Sequence, residues 1–491
     1  MTDERPYNEH DSTHNLRVPE ISRREFVAAS IVAGATIFSA RTLPATTVSA
    51  ISSGPVPSAA QLAWQRDERA LFLHFGTTTF TNKEWGDGSE SPDIFNPTKL
   101  DARQWARTAK ATGFPAMILT AKHHDGFCLW PTSTTKHSVA SSPFREGKGD
   151  VVREFVDACR AEGVKPGLYC SPWDRNSPLF GEGRKYDDLY IQQLTELLTG
   201  YGDIYQLWFD AANGEGPNGD KQVYDWPRIF ALVRKLQPNA IIFSDAGPDA
   251  RWIGNDRGDP SLANWSRMDP MAIPIPGFQG PMVNAMLQSG HANGTVWRPG
   301  ETDISIRPTW YHHATEDRRV KPAGTLVAYF FQSVGRNSKL LLNVPPNREG
   351  LFSDVDVAAL KSMHQTLSEL FADDLTRGAK QNWSATGANT GTSEIDLGRP
   401  VRINVIDLRE DIAKGQAVAR YVTEGFVNGA WQELSRGTTI GYRALDRIQP
   451  VEISKVRVSV EEAVDTLNPI EVHLYAEPLP GAGTRRPGLD V

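Results

Sequence analysis

Between Ala70 and Pro346 the sequence alternates short apolar runs with longer amphipathic segments, and this alternation restricts the possible folds more than any other feature of the chain. ALFLHFG (70–76), PAMILTA (115–121), VKPGLYCSP (164–172), DIYQLWFDA (203–211), NAIIFSDA (239–246) and KLLLNVPP (339–346) have the length and residue types of buried strands. Segments 102–113, 151–163, 188–202 and 223–238 lie between them and place apolar residues at helical spacing. Parallel strands need a crossover long enough to hold a helix, so this order predicts a parallel sheet. At least six strands in one series fit a (β/α)8-like TIM barrel, with a doubly wound sheet as the second possibility.

Polar residues at the strand ends favour the barrel. His74 closes the first run, His123 and His124 follow the second, and Tyr169, Asp210 and Asp245 end the next three. In a parallel barrel every strand C-terminus opens on one face, so residues distant in sequence converge there. A doubly wound nucleotide-binding sheet would more usually carry a Gly-rich loop after its first strand, and HFGTTTF is not GxGxxG.

The pattern changes after Leu351. One last helix is expected over 356–375, and from Asn382 onward short β-type runs broken by Gly and Asn read as an antiparallel β-sandwich, jelly-roll-like in its spacing. The expected layout is a signal region at 1–50, a barrel at 51–378, a sandwich at 379–480 and a loose tail at 481–491. At the N-terminus Arg23 and Arg24 precede an apolar run from Phe26 to Ala40, and Val48–Ala50 offers a small-residue cleavage site. This resembles a twin-arginine (Tat) export signal, cleaved near Ala50, with a periplasmic or extracellular product. The apolar run is shorter than the roughly 20 residues of a spanning helix, so no membrane association is expected after cleavage.

A net charge of −7 gives no support to nucleic-acid binding. The three cysteines, Cys128, Cys159 and Cys170, lack CxxC spacing and argue against a structural zinc site, and no cofactor motif is apparent. Asp210 is the most pointed single residue. It stands at the end of an aromatic strand and is followed by small residues that leave room for a ligand. A carboxylate so placed could attack a sugar's anomeric carbon, or could cap the following turn.

Several longer motifs occur together: HFGTTTFTNKEWGDG (74–88), AKHHDGFCLW (121–130), LWFD (207–210), RWIGN (251–255), ETDISIRPTW (301–310) and LLLNVPPNREG (340–350). In this order they resemble the α-L-fucosidases of glycoside hydrolase family 29 over about residues 60–375. FTNKEWGDG and ETDISIRP further resemble the branch that acts on α-1,3/1,4-linked fucose. The resemblance implies a retaining exo-hydrolase of fucosylated glycans that needs no cofactor or metal. It makes Asp210 the nucleophile. It makes His74, Glu84, Trp85, His123, His124, Trp130, Tyr169, Trp208, Arg251 and Trp310 candidates for contact with the fucose. The acid/base is expected soon after RWxGN, where this chain has Asp256 and the branch usually has Glu; Glu301 is the alternative. Aspartate is shorter by one methylene, so its backbone must approach the leaving oxygen more closely.

Two other readings compete. His123, His124, Asp125 and Asp245 could hold a metal in a hydrolase, but adjacent histidines on extended backbone point to opposite sides, and no HxH or HExxH spacing is present. The Asp256 departure also leaves room for a sugar-binding protein on a degenerate barrel. Asp125 is expected to fix the turn, with Cys128 and Leu129 packed beneath it, and the C-terminal domain to brace the barrel.

Overall fold

The computed structural model describes residues 54–477. The twin-arginine region and the 481–491 tail lie outside the described residues. Eight strands form a closed parallel barrel in chain order: β1 Arg69–Leu73, β2 Ala116–Lys122, β3 Lys165–Cys170, β4 Gln206–Trp208, β5 Ile241–Ser244, β6 Ala250–Trp252, β7 Gly300–Ser305 and β8 Ser338–Asn343. β8 pairs with β1, closing the ring.

Strand periodicity separates two layers of core. Leu71 and Leu73 of β1, Met117 and Leu119 of β2 and Leu207 of β4 point outward into the cluster shared with the helices. Their neighbours Ala70 and Phe72, Ile118 and Trp208 point inward and fill the barrel with Tyr169, Phe243 and Leu341. The helices Ala102–Ala111, Val151–Glu162 and Trp226–Leu236 begin at Asp101, Asp150 and Asp225, whose carboxylates accept backbone N–H bonds from the first turn. The helix Arg184–Gly200 covers the crossover from β3 to β4, and Asp354–Leu370 follows β8.

Two barrel strands are not among the six apolar runs. β6 is only three residues long, and β7 reads GETDIS, polar in sequence although buried along its whole length. Their surroundings are supplied by the closed barrel, which hydropathy along the chain cannot register. The link from β5 to β6 carries no helix, since it spans only residues 245–249. Within it Asp249 Oδ2 accepts the backbone N–H of Ile242 at 2.8 Å.

The C-terminal domain is antiparallel as expected. Its strands are β9 Gln381–Ala385, β10 Gly391–Arg409, β11 Val418–Val427, β12 Ala430–Gly437, β13 Ala444–Ala463 and β14 Glu471–Tyr475. They hydrogen-bond into one continuous sheet in the order β9-β10-β13-β11-β12, with β14 on β10. Register shifts at Asp396/Val401 and Ile403/Val405 bend the long pair β10–β13, and Ile403, Leu408, Val456, Val458 and Leu474 form the core. The β-type runs visible in the sequence, SEIDLG, VRINVIDLRE, AVARYVTEGF, EISKVRVSV and IEVHLYAE, omit β9 and β12. These are the two ends of the main strand order, and their largely exposed side chains leave no apolar alternation to read.

Charged groups tie this sheet to the barrel. Arg443, at the start of β13, reaches Glu68 before β1 at 2.9 Å and Asp407 of β10 at 2.7 Å. Ser266 N donates to Gln416 Oε1 at 2.7 Å, and Asn264 N donates to Thr439 Oγ1 at 2.9 Å. These contacts agree with a bracing role.

Candidate active site

The C-terminal ends of the barrel strands enclose a cavity of about 350 Å3. Its aromatic wall comes from inward-facing strand residues: Tyr169 stacks on Trp208 at 5.3 Å, and Trp208 on Phe243 at 4.3 Å. His74, Trp85, His123, His124, Asp210 and Trp310 also line it. Aromatic faces beside a few convergent polar groups suit the mixed polar and C–H surface of a monosaccharide.

Asp210 follows β4 by two residues, and its side chain is 25% exposed. The turn-capping and nucleophilic readings use different oxygens. Oδ1 accepts from Ala212 N at 2.8 Å, fixing the turn, whereas Oδ2 accepts from Tyr169 Oη at 3.0 Å. Burial, and then the Asp210 charge, raise the Tyr169 pKa well above the usual phenol value, so this hydroxyl remains a donor.

The histidines are set as neutral imidazoles. Ser171 Oγ donates its single proton to Trp173 O at 2.8 Å, so at 2.7 Å it must accept from His124 Nδ1. His124 Nε2 is then an acceptor, 3.7 Å from Asp210 Oδ2, a gap that leaves room for a hydroxyl to address both. His74 Nδ1 stands 2.8 Å from Asn343 Oδ1, while the Asn343 amide nitrogen donates to Ser305 Oγ and Trp310 O, so His74 likewise donates through Nδ1. Burial lowers all three histidines, His74 to about 4 and His123 well below its ordinary value.

His123 and His124 do not point to opposite sides. Their ring centroids lie 4.1 Å apart and both line the cavity. The backbone leaves the extended conformation here, as Gly126 N donates to His123 O at 3.0 Å and the chain turns. Asp125 fixes that turn, with Oδ1 accepting from Phe127 N at 3.1 Å and Oδ2 from Thr77 Oγ1. Cys128 and Leu129 are buried beneath it. Among the described residues no group of three or more His, Cys, Asp or Glu is gathered so as to hold a metal ion.

Three further carboxyl groups line the cavity. Asp256 sits on its exposed rim, yet crowding by protein and, second, the Asp210 charge push it up to about 6. Asp245 is also pushed up to about 6 by burial, and accepts from Ala246 N at 2.8 Å and Gly277 N at 2.9 Å. Asp303 accepts from Trp252 Nε1 at 2.8 Å, and burial drives its pKa well above the ordinary range. Asp303, Trp252 and Phe278 are cavity residues that sequence reasoning missed. A signal for Asp303 existed in the two-residue spacing from Glu301, which places both on one face of a strand.

The alternative acid/base Glu301 and three expected contact residues stand elsewhere. Glu301 is fully buried, deeper in the same inward row as Asp303, where it accepts from Gln206 Nε2 at 2.9 Å and Trp208 Nε1 at 3.0 Å. Arg251 is one residue out of phase with Ala250 and Trp252, which face the barrel interior. Its guanidinium therefore points away and donates to Leu287 O at 2.9 Å and Asn264 Oδ1 at 2.8 Å. Trp130 packs in the outer core, its Nε1 donating to Glu196 at 2.8 Å. Glu84 supports the wall from behind, with Oε1 accepting from Trp310 N at 2.9 Å and Oε2 buried without a partner.

Residues 59–369 match the family model for α-L-fucosidases. The chain belongs to the α-L-fucosidase family. Among relatives of this fucosidase, α-L-fucosidase 1 of Arabidopsis thaliana is 40% identical over 439 residues, covering 83% of this chain and 85% of its own. A glycoside hydrolase 29 family member from an unknown rumen bacterium superposes with a TM-score of 0.81 at 39% identity, over 88% of this chain and 79% of that one. A Ruminococcus gnavus GH29 fucosidase in complex with fucose superposes with a TM-score of 0.77 at 27% identity, over 86% of this chain and 95% of that one. The fucosidase is thus a glycoside hydrolase with the barrel and C-terminal sheet domain of its structural relatives.

Proposed function

We propose that this fucosidase removes terminal α-L-fucose from glycans with retention of configuration, using Asp210 as nucleophile and Asp256 as acid/base. The observation that carries the reading is that both carboxyl groups line one aromatic and imidazole-walled cavity, with Asp256 pushed upward toward holding a proton. The complex of the Ruminococcus gnavus relative with fucose supports a fucosyl unit as the occupant.

In the first step Asp210 Oδ2 bonds to C1 of the fucosyl unit as the glycosidic C1–O bond breaks, and the departing oxygen takes the proton of Asp256. The Tyr169 hydroxyl steadies the carboxylate before attack. His74 and His124 accept bonds from sugar hydroxyls through Nε2, and Trp208 and Trp310 cover the C–H side. In the second step water gives a proton to Asp256 while its oxygen bonds to C1, releasing Asp210 and fucose. Such an exchange requires carboxyl groups about 5 to 5.5 Å apart. Glu301 suits the acid role poorly, because Trp208 and Gln206 hold its carboxyl below the cavity.

The finer specificity follows from resemblance: FTNKEWGDG and ETDISIRP support α-1,3/1,4-linked fucose on branched glycans, and Arg23–Arg24 with the apolar run after them support Tat export. Replacing Asp210 by Gly should abolish turnover, with azide restoring it as a fucosyl azide; near wild-type hydrolysis by Asp210→Gly would refute the assignment. A panel of 1,2-, 1,3-, 1,4- and 1,6-linked fucosides tests the linkage, which is wrong if the 1,3 and 1,4 isomers are not preferred.

A further inference from the structure

A buried cation stands behind the imidazole wall of the cavity, and the proposed reaction does not use it. Lys122 ends β2, and a register shift between Thr120 and Lys122 sets it opposite Cys170, whose side chain packs in the outer core. This bulge turns the Lys122 side chain away from the cavity and toward the helix Arg184–Gly200. The side chain is fully buried, and its ammonium donates to Asp174 Oδ2 at 3.1 Å, Tyr186 Oη at 3.3 Å and Gln193 Oε1 at 2.9 Å, one acceptor for each of its three protons. Burial works against the charge, but its neighbours, Asp174 foremost, more than offset this and hold the Lys122 pKa above the ordinary amine value. A buried ion pair adds little stability over well-packed apolar residues of similar volume, so what the pair holds in place matters more than its strength.

It holds the loop after β3. Asp174 Oδ1 accepts from Asn176 N at 3.0 Å and Ser177 N at 2.8 Å. The residues on either side of Asp174 grip His124. Trp173 O takes the Ser171 hydroxyl proton, which leaves Ser171 Oγ to accept from His124 Nδ1, and Arg175 N donates to His124 O at 2.9 Å. The Trp173 ring lies 4.9 Å from the His124 ring. Trp85 depends on the same loop: Arg175 Nη1 donates to Gly86 O at 2.7 Å and Asn176 Nδ2 to Gly88 O at 2.8 Å, and the Trp85 ring stands 5.6 Å from His124.

We propose that Lys122 is a positioning residue for His124: its pairing with Asp174 fixes the loop that aims Nε2 of the imidazole at the sugar and at Asp210. This rests on the reading of the cavity as the fucosyl site. The groups that face His124 are Asp210 beyond β4 with Tyr169 bonded to it, Arg175 on the loop, His123 and His74 beside the ring, Asp125 next in the chain and Lys122 behind. Burial lowers the His124 pKa; Asp210 draws a proton toward the ring, and Arg175 and then Lys122 oppose it. With Lys122 gone, Nε2 takes a proton more readily, and a protonated Nε2 donates to Asp210 and no longer accepts from a sugar hydroxyl.

The test uses Lys122→Met and the double variant Lys122→Met, Asp174→Asn, which removes both buried charges and keeps an acceptor for Asn176 N and Ser177 N. Lys122→Met should lose thermal stability because it strands Asp174, and the double variant should recover most of that loss. Both should hydrolyse a fucosyl disaccharide with kcat/KM lowered by about tenfold or more. In both, the acid limb of the pH profile should move upward by about half a pH unit or more, because a protonated His124 meets one cation fewer. Recovery of kcat/KM together with stability in the double variant, or an acid limb that stays in place, would overturn the proposal. Nitrogen-15 NMR of the His124 ring reads it without turnover. In the unaltered protein the ring should be neutral at about pH 6 with its proton on Nδ1, and in the double variant it should take up a second proton at higher pH than in the unaltered protein. Absence of fucose release by the unaltered protein would count against the proposed function, whereas a His124 titration that is the same in protein and double variant would count against Lys122.

Discussion

The Tyr169 hydroxyl donates to Asp210 Oδ2 across 3.0 Å, joining the ends of β3 and β4 at the wall of the cavity. Its loss should leave the carboxylate less firmly oriented. A hydrogen bond to a charged group contributes about 1.5 to 3 kcal/mol, so Tyr169→Phe should lower kcat/KM by roughly 10- to 150-fold with little change in thermal stability. Steady-state kinetics beside a melting curve would check both, and unimpaired kinetics would show that this bond does not assist the reaction.

Asp256 predicts the alkaline limb of the pH profile. Its carboxyl is raised to about 6, so it is protonated below that pH and loses the proton above it. An acid catalyst acts while protonated, and kcat/KM should therefore decline as pH rises through about 6. Asp256→Asn should remove that limb and slow hydrolysis of a disaccharide by about 10²- to 10⁴-fold. Asp245 titrates in the same window, so Asp245→Asn is the control: the limb should survive it. Disappearance of the limb in Asp245→Asn alone would reassign the acid.

Asn343 orients His74 and the Trp310 backbone together. Asn343→Ala should free the His74 ring and leave a buried Nδ1–H unpaired, a loss of about 1 to 3 kcal/mol. The expected result is a KM for fucosides raised by about tenfold or more. An unchanged KM in a correctly folded variant would place His74 outside substrate binding.

Arg443 is 4% exposed and bridges Asp407 of the C-terminal sheet and Glu68 of the barrel. Removing one member of a buried ionic group costs about 3 to 5 kcal/mol where the other charge is left alone, but here Arg409 still pairs with Asp407 at 3.0 Å. Arg443→Ala should therefore lower stability in urea by less than that range while leaving KM at low temperature unchanged. If only KM moved, the C-terminal domain would have a part in substrate binding.

The barrel was legible because its outer strand residues and helix faces repeat in apolar periods that any window of sequence displays. Leu71, Leu73, Met117, Leu119 and Leu207 announce buried strands wherever the chain is read. β6 and β7 escaped the same reading, since their burial comes from the closed barrel around them and not from their own hydropathy.

The site divides along the same line. Strand-end position in a parallel barrel was sufficient to bring His74, His123, His124, Tyr169 and Asp210 to one face. Resemblance to a family could name further residues, but side-chain direction depends on phase: Trp252 enters the cavity and Arg251, one residue earlier, leaves it. Depth behaves likewise, for Glu301 and Asp303 share a strand face, yet only the outer of the two reaches the cavity.

The sequence by itself determined the kind of fold, the family and the strand ends on which chemistry could stand, because these follow from local periodicity and from motifs contiguous in the chain. Tertiary structure alone decided which carboxyl groups are raised and which imidazole nitrogen carries the proton. Those properties arise from burial and hydrogen bonds between segments tens to hundreds of residues apart, such as His74 with Asn343 and Asp245 with Gly277.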